Sequence, residues 1–270
     1  MKKILIIGKK GFIALNLIKY FSQKKINVTS VNFKSFLKKN ESFNEKFDYI
    51  INCTSNKSFI QNKYKTINDY NLIIAKKIIH CQAKLIILSS RKIYKPKLNI
   101  KESDLIKPNC NYSKNKFISE NFIQKILLDK SLILRLSNII GYPNNNKRKL
   151  HKTFVDIFFE QAIKGYIYDN KNIYKDFISI KKFSEIVYQL IKKNASGTYN
   201  VSLGEKVYLS QITQWLNFYN NKKIKIINLK KSFNNDNFTL NNDKLVDKIK
   251  IKNNLIDLKK ECLEISKKFF

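Results

Sequence analysis

The sequence predicts a doubly wound α/β fold, in which helices cover both faces of a parallel sheet. The first half of the chain alternates short, continuously apolar segments with longer segments whose apolar residues recur at helical spacing. Unbroken apolar strands are typical of parallel sheets that are buried on both faces. A Gly-x-x-Gly turn also lies between the first apolar segment and the first helical one. In such folds, ligands bind outside the carboxyl ends of the strands, which is where this turn lies.

Each predicted element follows from one of these two patterns. The predicted strands of the first half are residues 3–8, 27–33, 47–55, 83–90 and 131–140, and the predicted helices are residues 12–23, 66–81 and 113–128. Within the first of these helices, Ile13, Leu17, Ile18 and Phe21 share one helical face.

The pattern changes after Gly141, where a polar loop is predicted over residues 142–152. Beyond it, the sequence predicts a helix over 153–164, a short strand pair near 166–180 and a helix over 181–193. Residues 197–219 are predicted to form a strand, a turn at Gly204 and a helix. A last helix is predicted over 255–270. This mixture predicts a smaller α+β lobe at the C-terminal end of the chain.

The net charge of +33 comes almost entirely from lysine. Arg91, Arg135 and Arg148 are the only arginines among the 53 basic residues, and Ile and Asn are also abundant. This indicates a general compositional bias, because dedicated nucleic-acid-binding proteins favour arginine for bidentate contacts. We therefore expect no specific nucleic-acid partner. The charge predicts weak, salt-dependent binding to polyanions and suits an anionic ligand such as a nucleotide.

The cysteines and the apolar segments bear on metal binding and location. Cys53, Cys81, Cys110 and Cys262 form no Cys-x-x-Cys pair, so we expect neither a metal site nor a disulfide framework. The apolar run before Gly8 is too short for a signal peptide, and no run is long enough to span a membrane. These features predict a cytoplasmic protein.

The first motif with a chemical meaning is the turn GKKGFIA, residues 8–14. Its glycines permit a tight turn, and the helix that follows offers free N–H groups and a positive dipole end to a pyrophosphate. The alternative is an ordinary strand-to-helix turn. The residues predicted to contact a dinucleotide here are Gly8, Lys10, Gly11, Phe12 and Ile13.

The end of the second predicted strand bears on the choice of dinucleotide. NAD-binding domains usually place an acidic residue there for the ribose hydroxyls, but this chain has Asn32, followed by Lys34. A missing acid with cations nearby favours a 2′-phosphate, and hence NADP(H) over NAD(H). The alternative is that these lysines only reflect the composition.

The second motif is a Tyr-x-x-x-Lys pair, Tyr112 and Lys116. Lys116 lies in the helix predicted over 113–128, and Tyr112 directly precedes that helix. The four-residue spacing places both side chains on one helical face. Ser90 ends an earlier strand, so the carboxyl edge of the sheet can bring it to this pair. A free tyrosine titrates near pKa 10, and a nearby cation stabilises its phenolate. We therefore expect Lys116 and an oxidised nicotinamide to lower the pKa of Tyr112 for proton transfer.

A series of segments over nearly the whole chain matches one family pattern. They are IIGKKGFIALNLIKYF (6–21), YIINCTS (49–55), TINDYNLII (66–74), LSSRKIY (88–94), KESDLIKPNCNYSKNKFISEN (101–121), LRLSNIIGYP (134–143), YKDFISIKKFSEIV (174–187) and GTYNVSLGEKVYLSQI (197–212). With these segments the sequence resembles the extended short-chain dehydrogenase/reductases of the NAD-dependent epimerase/dehydratase family. That branch contains nucleotide-sugar epimerases, dehydratases and 4-ketoreductases.

The resemblance implies a Rossmann fold and a role for each matched residue. Residues 1–140 with a returning segment near 174–196 would bind the dinucleotide, and residues 141–173 and 197–270 would form the substrate lobe. The implied catalytic residues are Ser90, Tyr112, Lys116 and the structural asparagine Asn68. Cys53, Tyr112 and Lys116 would also line the cofactor site, where Lys116 would hold the nicotinamide ribose. Ser90, Asn138 and Lys175 would contact the substrate. Lys175 replaces an arginine that often contacts the diphosphate, and Ala14 replaces the third glycine of the turn.

The resemblance also implies the reaction: reduction of a 4-keto-6-deoxy sugar nucleotide for surface polysaccharide synthesis, by a protein that forms a homodimer. The alternatives are a nucleotide-sugar 4-epimerase, a non-catalytic dinucleotide-binding sensor or scaffold, and a polyanion-binding protein.

Overall fold

The computed structural model describes residues 2–141, 153–169, 173–228, 236–252 and 254–269. The chain packs into two compact units. The first unit is Met1–Lys95, Leu105–Leu136 and Ser184–Tyr199, and the second is Pro96–Asp104, Ser137–Phe183 and Asn200–Phe270.

The described residues contain strands and helices of both units. The strands are β1 (Lys3–Ile7), β2 (Asn27–Val31), β3 (Tyr49–Asn52), β4 (Lys84–Ser90), β5 (Ser131–Leu136), β6 (Asn138–Ile140), β7 (Tyr166–Asp169), β8 (Tyr174–Lys175), β9 (Phe177–Ser179), β10 (Gly197–Val201), β11 (Val207–Tyr208) and β12 (Lys225–Asn228). The α-helices are α1 (Phe12–Gln23), α2 (Phe33–Leu37), α3 (Glu41–Asn44), α4 (Lys57–Gln61), α5 (Tyr70–Lys77), α6 (Asn111–Leu127), α7 (Phe154–Ile163), α8 (Ile180–Lys192), α9 (Leu209–Leu216), α10 (Asp243–Ile249) and α11 (Leu255–Phe269).

The main sheet has six strands in the order β10-β5-β4-β3-β1-β2. The pairs from β2 to β5 along this order are all parallel, which confirms the predicted doubly wound sheet. The chain adds β2 on one side of β1 and then crosses to add β3 on the other side. A parallel sheet binds ligands outside the carboxyl ends of its strands at such a reversal, so β1 and β3 define the crevice to be inspected.

The core of the first unit explains why these segments form these elements. All four residues of β3 are buried, as are the last four residues of β1, as expected for strands with helices on both faces. On α1, Ala14, Leu17 and Phe21 are buried at spacings of three and four residues, so the helix turns one apolar face to the sheet.

Two helices begin at residues other than those predicted, because side chains cap them there. The helix predicted over 66–81 begins at Tyr70, since the Asp69 carboxylate accepts the N–H groups of Asn71 and Leu72. The helix predicted from residue 113 begins at Asn111, after a capping box that starts at Cys110. Caps of this kind satisfy N–H groups that lack a partner within the helix.

The predicted strand over 131–140 is wrong as one element. It breaks at Ser137, whose N–H donates to the Val201 carbonyl at 3.1 Å. The residues after it form β6, which pairs with β9 and not with the main sheet. The apolar run continues through both strands, so its length alone concealed the break.

The second unit has its own core and three two-stranded pairs. The buried apolar residues include Phe158, Phe177, Ile212, Leu216 and Cys262. Strands β6 and β9 pair in parallel, β7 and β12 pair in parallel, and β8 and β11 pair antiparallel. The strand pair predicted near 166–180 is therefore wrong in its partners, since its segments pair with strands elsewhere in the chain.

Two further predictions concern the polar loop and the membrane. The loop predicted over 142–152 lies outside the described residues. No helix in the described ranges combines the length and the apolar character needed to cross a bilayer.

A buried carboxylate, Asp176, organises the second unit. Its oxygens accept the N–H groups of Leu203 at 3.0 Å, Gly204 at 3.2 Å and Leu240 at 2.9 Å, and Ser202 adds a side-chain hydrogen bond. Burial raises the pKa of Asp176 to about 7, against these hydrogen bonds, which lower it. One acidic side chain therefore joins two segments that are distant in sequence.

Replacing Asp176 by Asn is expected to destabilise the protein, most strongly at low pH. An amide offers one acceptor oxygen instead of two, so a buried N–H loses its partner at a cost of about 1–3 kcal/mol. Because the folded protein binds the Asp176 proton more tightly than the unfolded chain, wild-type stability falls as pH rises from about 4 to about 7. The free energy of unfolding of wild type minus that of Asp176→Asn, measured by urea unfolding, should fall by up to about 4 kcal/mol over that range, so that it reaches zero or changes sign near neutral pH.

The matched control is Asp104→Asn. Asp104 lies in a surface loop, and its hydrogen bond with Lys97 lowers its pKa, so its titration lies below about pH 4. Its effect should stay constant between about pH 5 and pH 8. A stability difference for Asp176→Asn that grows with pH would contradict the assignment.

Candidate active site

The glycine turn after β1 lies against the carboxyl end of β3. Gly8 has a φ of +103°, and a Cβ placed on it would lie 3.0 Å from the carbonyl carbon of Cys53. Its N–H donates to the Val31 carbonyl at 2.8 Å, which links the turn to the end of β2. Only glycine combines this backbone conformation with such close contact.

The start of α1 fits a dinucleotide pyrophosphate. Gly11 occupies the N-cap position without a side chain, and no acidic residue lies in the first turn. The first-turn N–H groups, from Phe12 and Ile13, therefore have no side-chain cap, and Lys9 and Lys10 are exposed beside the turn. Free N–H groups, a positive dipole end and nearby ammonium groups are the donors that bind a phosphate.

The end of β2 holds the two residues predicted to select the dinucleotide. Asn32 caps α2 by accepting the Ser35 N–H at 2.7 Å, and both Asn32 and Lys34 are exposed. The Asn32 carbonyl oxygen is thus already engaged, and the strand end presents no carboxylate.

Cys53 directly follows β3, and its N–H donates to the Ile7 carbonyl at 2.9 Å. Burial raises the pKa of its thiol to about 12. The thiol is therefore neutral at physiological pH, and its place beside the cofactor stays a prediction.

Ser90 and Tyr112 are brought together as predicted. Ser90 ends β4, Tyr112 lies in the first turn of α6, and their side chains share a hydrogen bond. The Ser90 hydroxyl oxygen also accepts the Lys92 N–H at 3.2 Å, which fixes its position at the strand end. A hydroxyl held at the phenol oxygen can orient a substrate oxygen between the two groups.

Lys116 lies one turn along α6 from Tyr112 on the same face. Its ammonium nitrogen donates to the Leu88 carbonyl at 2.7 Å and lies 5.8 Å from the centre of the Tyr112 ring. Burial lowers the pKa of Lys116, while Asp69 and Glu120 act to raise it.

The expected lowering of the Tyr112 pKa is not seen in the protein alone. Burial raises the pKa of this phenol, the hydrogen bond with Ser90 lowers it, and Cys110 raises it. Lys116, whose ammonium group donates to the Leu88 carbonyl, is not among these influences. In the protein by itself, Tyr112 is therefore a protonated phenol.

Asn68 lies in a short turn before α5, where its carbonyl oxygen accepts the Asn56 amide at 3.3 Å. The neighbouring residue Asp69 was not predicted, yet it is buried and acts electrostatically on Lys116. Its position just before a helix signals an N-cap. The sequence pattern holds no signal for its second partner, Lys116.

A second unpredicted group lies beneath α6. Arg135 donates to Glu120 at 2.7 Å and to the Tyr94 hydroxyl at 2.5 Å, and all three side chains are buried. Glu120 lies one turn beyond Lys116 on α6, so this ion pair supports the helix from below the candidate site.

Two of the three predicted substrate residues, Asn138 and Lys175, belong to the second unit. Asn138 donates its amide to the Asp176 carbonyl at 3.1 Å. The ammonium group of Lys175 donates to the Asp236 carbonyl at 2.9 Å, lies 3.7 Å from the Asp236 carboxylate and lies over the Phe154 ring. Lys175 is thus a buried cation with a carboxylate partner.

Comparison with known families identifies the chain. The model of the NAD dependent epimerase/dehydratase family matches residues 4–202. The chain belongs to this family. The predicted membership is therefore confirmed, and with it an enzyme fold of the extended short-chain dehydrogenase/reductase type that uses a nicotinamide dinucleotide.

Solved structures show the same fold at low sequence identity. A UDP-N-acetylglucosamine 4-epimerase from Methanobrevibacter ruminantium, in complex with UDP-N-acetylmuramic acid, matches 99% of this chain and 98% of its own at 19% identity and a TM-score of 0.81. A dTDP-4-dehydrorhamnose reductase from Clostridium acetobutylicum matches 96% of this chain and 98% of its own at 18% identity and a TM-score of 0.74. The protein RMD from Pseudomonas aeruginosa, complexed with NADPH, matches 99% of both chains at 14% identity and a TM-score of 0.75. No protein with a curated description matches the sequence significantly.

Replacing Gly8 by Ala is expected to abolish dinucleotide binding and to lower the free energy of unfolding by more than about 2 kcal/mol, since strain and a backbone clash add. The control is Gly165→Ala, where φ is +85° but a Cβ would meet no atom within 4 Å. That change isolates the strain, at about 1–2 kcal/mol. Thermal unfolding and titration with NADPH and NAD⁺ measure both effects. Equal costs at the two glycines would show that the contact with Cys53 is unimportant.

Proposed function

We propose that the protein reduces the 4-keto group of a 4-keto-6-deoxy sugar nucleotide. The observation that supports this best is the protonated Tyr112 phenol, held by Ser90 beside Lys116. Reduction of a carbonyl needs an acid that gives its proton to the developing alkoxide. A phenol whose pKa is raised by burial begins the reaction in that state.

The roles of the residues follow from their positions. A bound reduced nicotinamide would supply the hydride to the sugar C4. Ser90 hydrogen-bonds the carbonyl oxygen and orients it, and Tyr112 donates the proton to that oxygen. Lys116 contributes positive charge, which stabilises the phenolate left on Tyr112 after the proton has gone.

The residues assigned to ligand binding complete the proposal. Gly11 and the first turn of α1 hold the pyrophosphate, while Asn68 steadies the segment before α5. We assign Asn138 and Lys175 to contact with the sugar nucleotide. The buried ammonium group of Lys175 supports this role, because a desolvated cation interacts strongly with a diphosphate.

The cofactor we assign is NADP(H). The end of β2 has no carboxylate to accept ribose hydroxyls. Lys9 and Lys10 lie within the glycine turn, Lys34 lies shortly after the end of β2, and all three residues are exposed. A 2′-phosphate there is favoured by the positive charge.

The second candidate is a nucleotide-sugar 4-epimerase, which the family description itself favours. An epimerase first removes a proton from a sugar hydroxyl, so Tyr112 would begin as a phenolate and the chain would retain NAD⁺ through purification. Purified protein that exchanges NADPH freely supports the reductase, whereas firmly bound NAD⁺ supports the epimerase.

Replacing Tyr112 by Phe is expected to lower kcat by about 10²–10⁴-fold, because general acid catalysis contributes that much. Affinity for the dinucleotide should change by less than about threefold, since Ser90 and Lys116 remain. The measurement is NADPH oxidation with a panel of 4-keto sugar nucleotides, together with calorimetric titration of NADPH. Tyr20→Phe on α1 is the control for loss of a hydroxyl. A Tyr112→Phe protein with full biological activity would identify a non-catalytic dinucleotide sensor or scaffold.

Replacing Lys34 by Glu is expected to lower the NADPH-to-NADH affinity ratio by at least about tenfold, because a carboxylate repels a 2′-phosphate and accepts ribose hydroxyls. Lys125→Glu, an exposed position on α6, makes the same change in net charge and should leave the ratio unchanged. A wild-type protein that prefers NADH would exclude the NADP(H) assignment while leaving the reduction itself standing.

A further inference from the structure

The strongest unassigned feature is the buried carboxylate of Asp69, which is only 1% exposed. One of its oxygens accepts the N–H groups of Asn71 and Leu72 at the start of α5, at 3.0 and 3.2 Å. The other accepts the Tyr64 hydroxyl at 2.9 Å. Helix capping alone would be satisfied by an uncharged asparagine, so the charge and its burial require a separate reason.

The contacts of Asp69 lead to the helix that bears Lys116. The Ser119 hydroxyl donates to the Asp69 carboxylate at 3.1 Å, and Ser119 lies one turn from Lys116 on α6. The Asn71 amide donates in turn to Ser119 at 3.2 Å, and the Asn52 amide donates to Asn71 at 2.6 Å. A continuous set of hydrogen bonds thus joins the end of β3 to α6.

Asp69 and Glu120 are the two carboxylates that act electrostatically on Lys116, and they differ in their own partners. Glu120, on the same helix, is bound by Arg135 from β5 at 2.7 Å. Within the described part of the chain, the salt bridges include none to Asp69. The electrostatic influence between Asp69 and Lys116 acts on both groups.

The remaining groups that face Lys116 carry no charge of their own in the protein alone. Tyr112 is protonated, and the Leu88 carbonyl accepts the hydrogen bond of the ammonium group at 2.7 Å. The Phe59 ring from α4 lies 5.8 Å away, and burial raises the pKa of Tyr64, which keeps its hydroxyl neutral.

We propose that Asp69 is a positioning residue: its carboxylate is the counter-charge that keeps the Lys116 ammonium charged and facing Tyr112. The proposal rests on the proposed function for its catalytic meaning. It divides the charges of the site into two pairs: Arg135 forms an ion pair with Glu120, and Asp69 balances the half-buried Lys116. Removing the Asp69 charge would lower the pKa of the poorly hydrated Lys116 ammonium group further, because a negative charge that favours the ammonium form would be lost.

The test measures the titration of Lys116 directly. Wild type and Asp69→Asn are labelled with trace acetic anhydride over a pH series, and the acetylation of each lysine is followed by mass spectrometry. The asparagine keeps the oxygen that caps α5, and its amide can donate to the Tyr64 oxygen, so we expect the variant to fold. The midpoint for Lys116 should fall by about one pH unit or more, while the midpoint for exposed Lys125 stays constant.

Ser119→Ala is the matched control, because it removes a hydrogen bond to Asp69 but leaves the carboxylate. It should leave the Lys116 midpoint within about 0.3 of a pH unit, a small fraction of the effect of removing the charge. A purely structural role for Asp69 predicts that both variants behave alike. An Asp69→Asn midpoint equal to that of wild type would overturn the proposal.

A second readout uses the dinucleotide. Affinity for NADPH, titrated at neutral and at alkaline pH, should fall by about tenfold more in Asp69→Asn than in wild type as pH rises, since lowering the Lys116 midpoint by about one pH unit changes the ratio of charged to neutral amine tenfold. Failure of wild type to bind any dinucleotide would reject the proposed function, whereas the labelling result would still decide the role of Asp69.

Should Asp69→Asn fail to fold, Lys116→Met tests the same pair from the other side. In that variant, a carboxyl titration of Asp69 by ¹³C NMR that does not move upward would overturn the proposal.

Discussion

The candidate site depends on holding one ammonium group charged where water reaches it poorly. Burial works against the charge of Lys116, and an uncompensated buried charge costs several kcal/mol. The fold offsets this cost with the Leu88 carbonyl and with negative charge from Asp69 and Glu120. Leu88 lies on β4, Asp69 caps the start of α5, and Glu120 lies on α6. The site therefore exists only when the sheet and these two helices have formed.

The parallel sheet supplies the frame for that arrangement. Because β2 and β3 lie on opposite sides of β1, the glycine turn meets the end of β3 with no strand between them, and Gly8 approaches the Cys53 backbone closely. The next strand in the order, β4, ends at Ser90. One edge of the sheet thus presents the glycine turn and the Ser90 hydroxyl, for the same topological reason.

The parts of the site that lie close together in sequence were predictable, and the parts joined by tertiary contacts were not. The spacing of Tyr112 and Lys116 follows from the helical repeat, and Ser90 follows from the end of an apolar run. The electrostatic influence of Asp69 on Lys116 acts between residues distant in sequence, and no local pattern specifies it. The break at Ser137 was hidden for a related reason, since an apolar run has no marker for the point where a strand leaves one sheet for another.

The protonation state of Tyr112 bears on how each of the two proposed reactions would begin. Desolvation disfavours a phenolate, and in the protein alone no cation offsets it enough to reverse the raised pKa. A reductase begins with a neutral cofactor ring and needs a phenol, so this protonation state is ready for it. An epimerase begins with a positively charged ring and needs a phenolate, which the bound ring itself would have to stabilise. The same residues can therefore serve either reaction, and the charge on the bound ring selects which one begins.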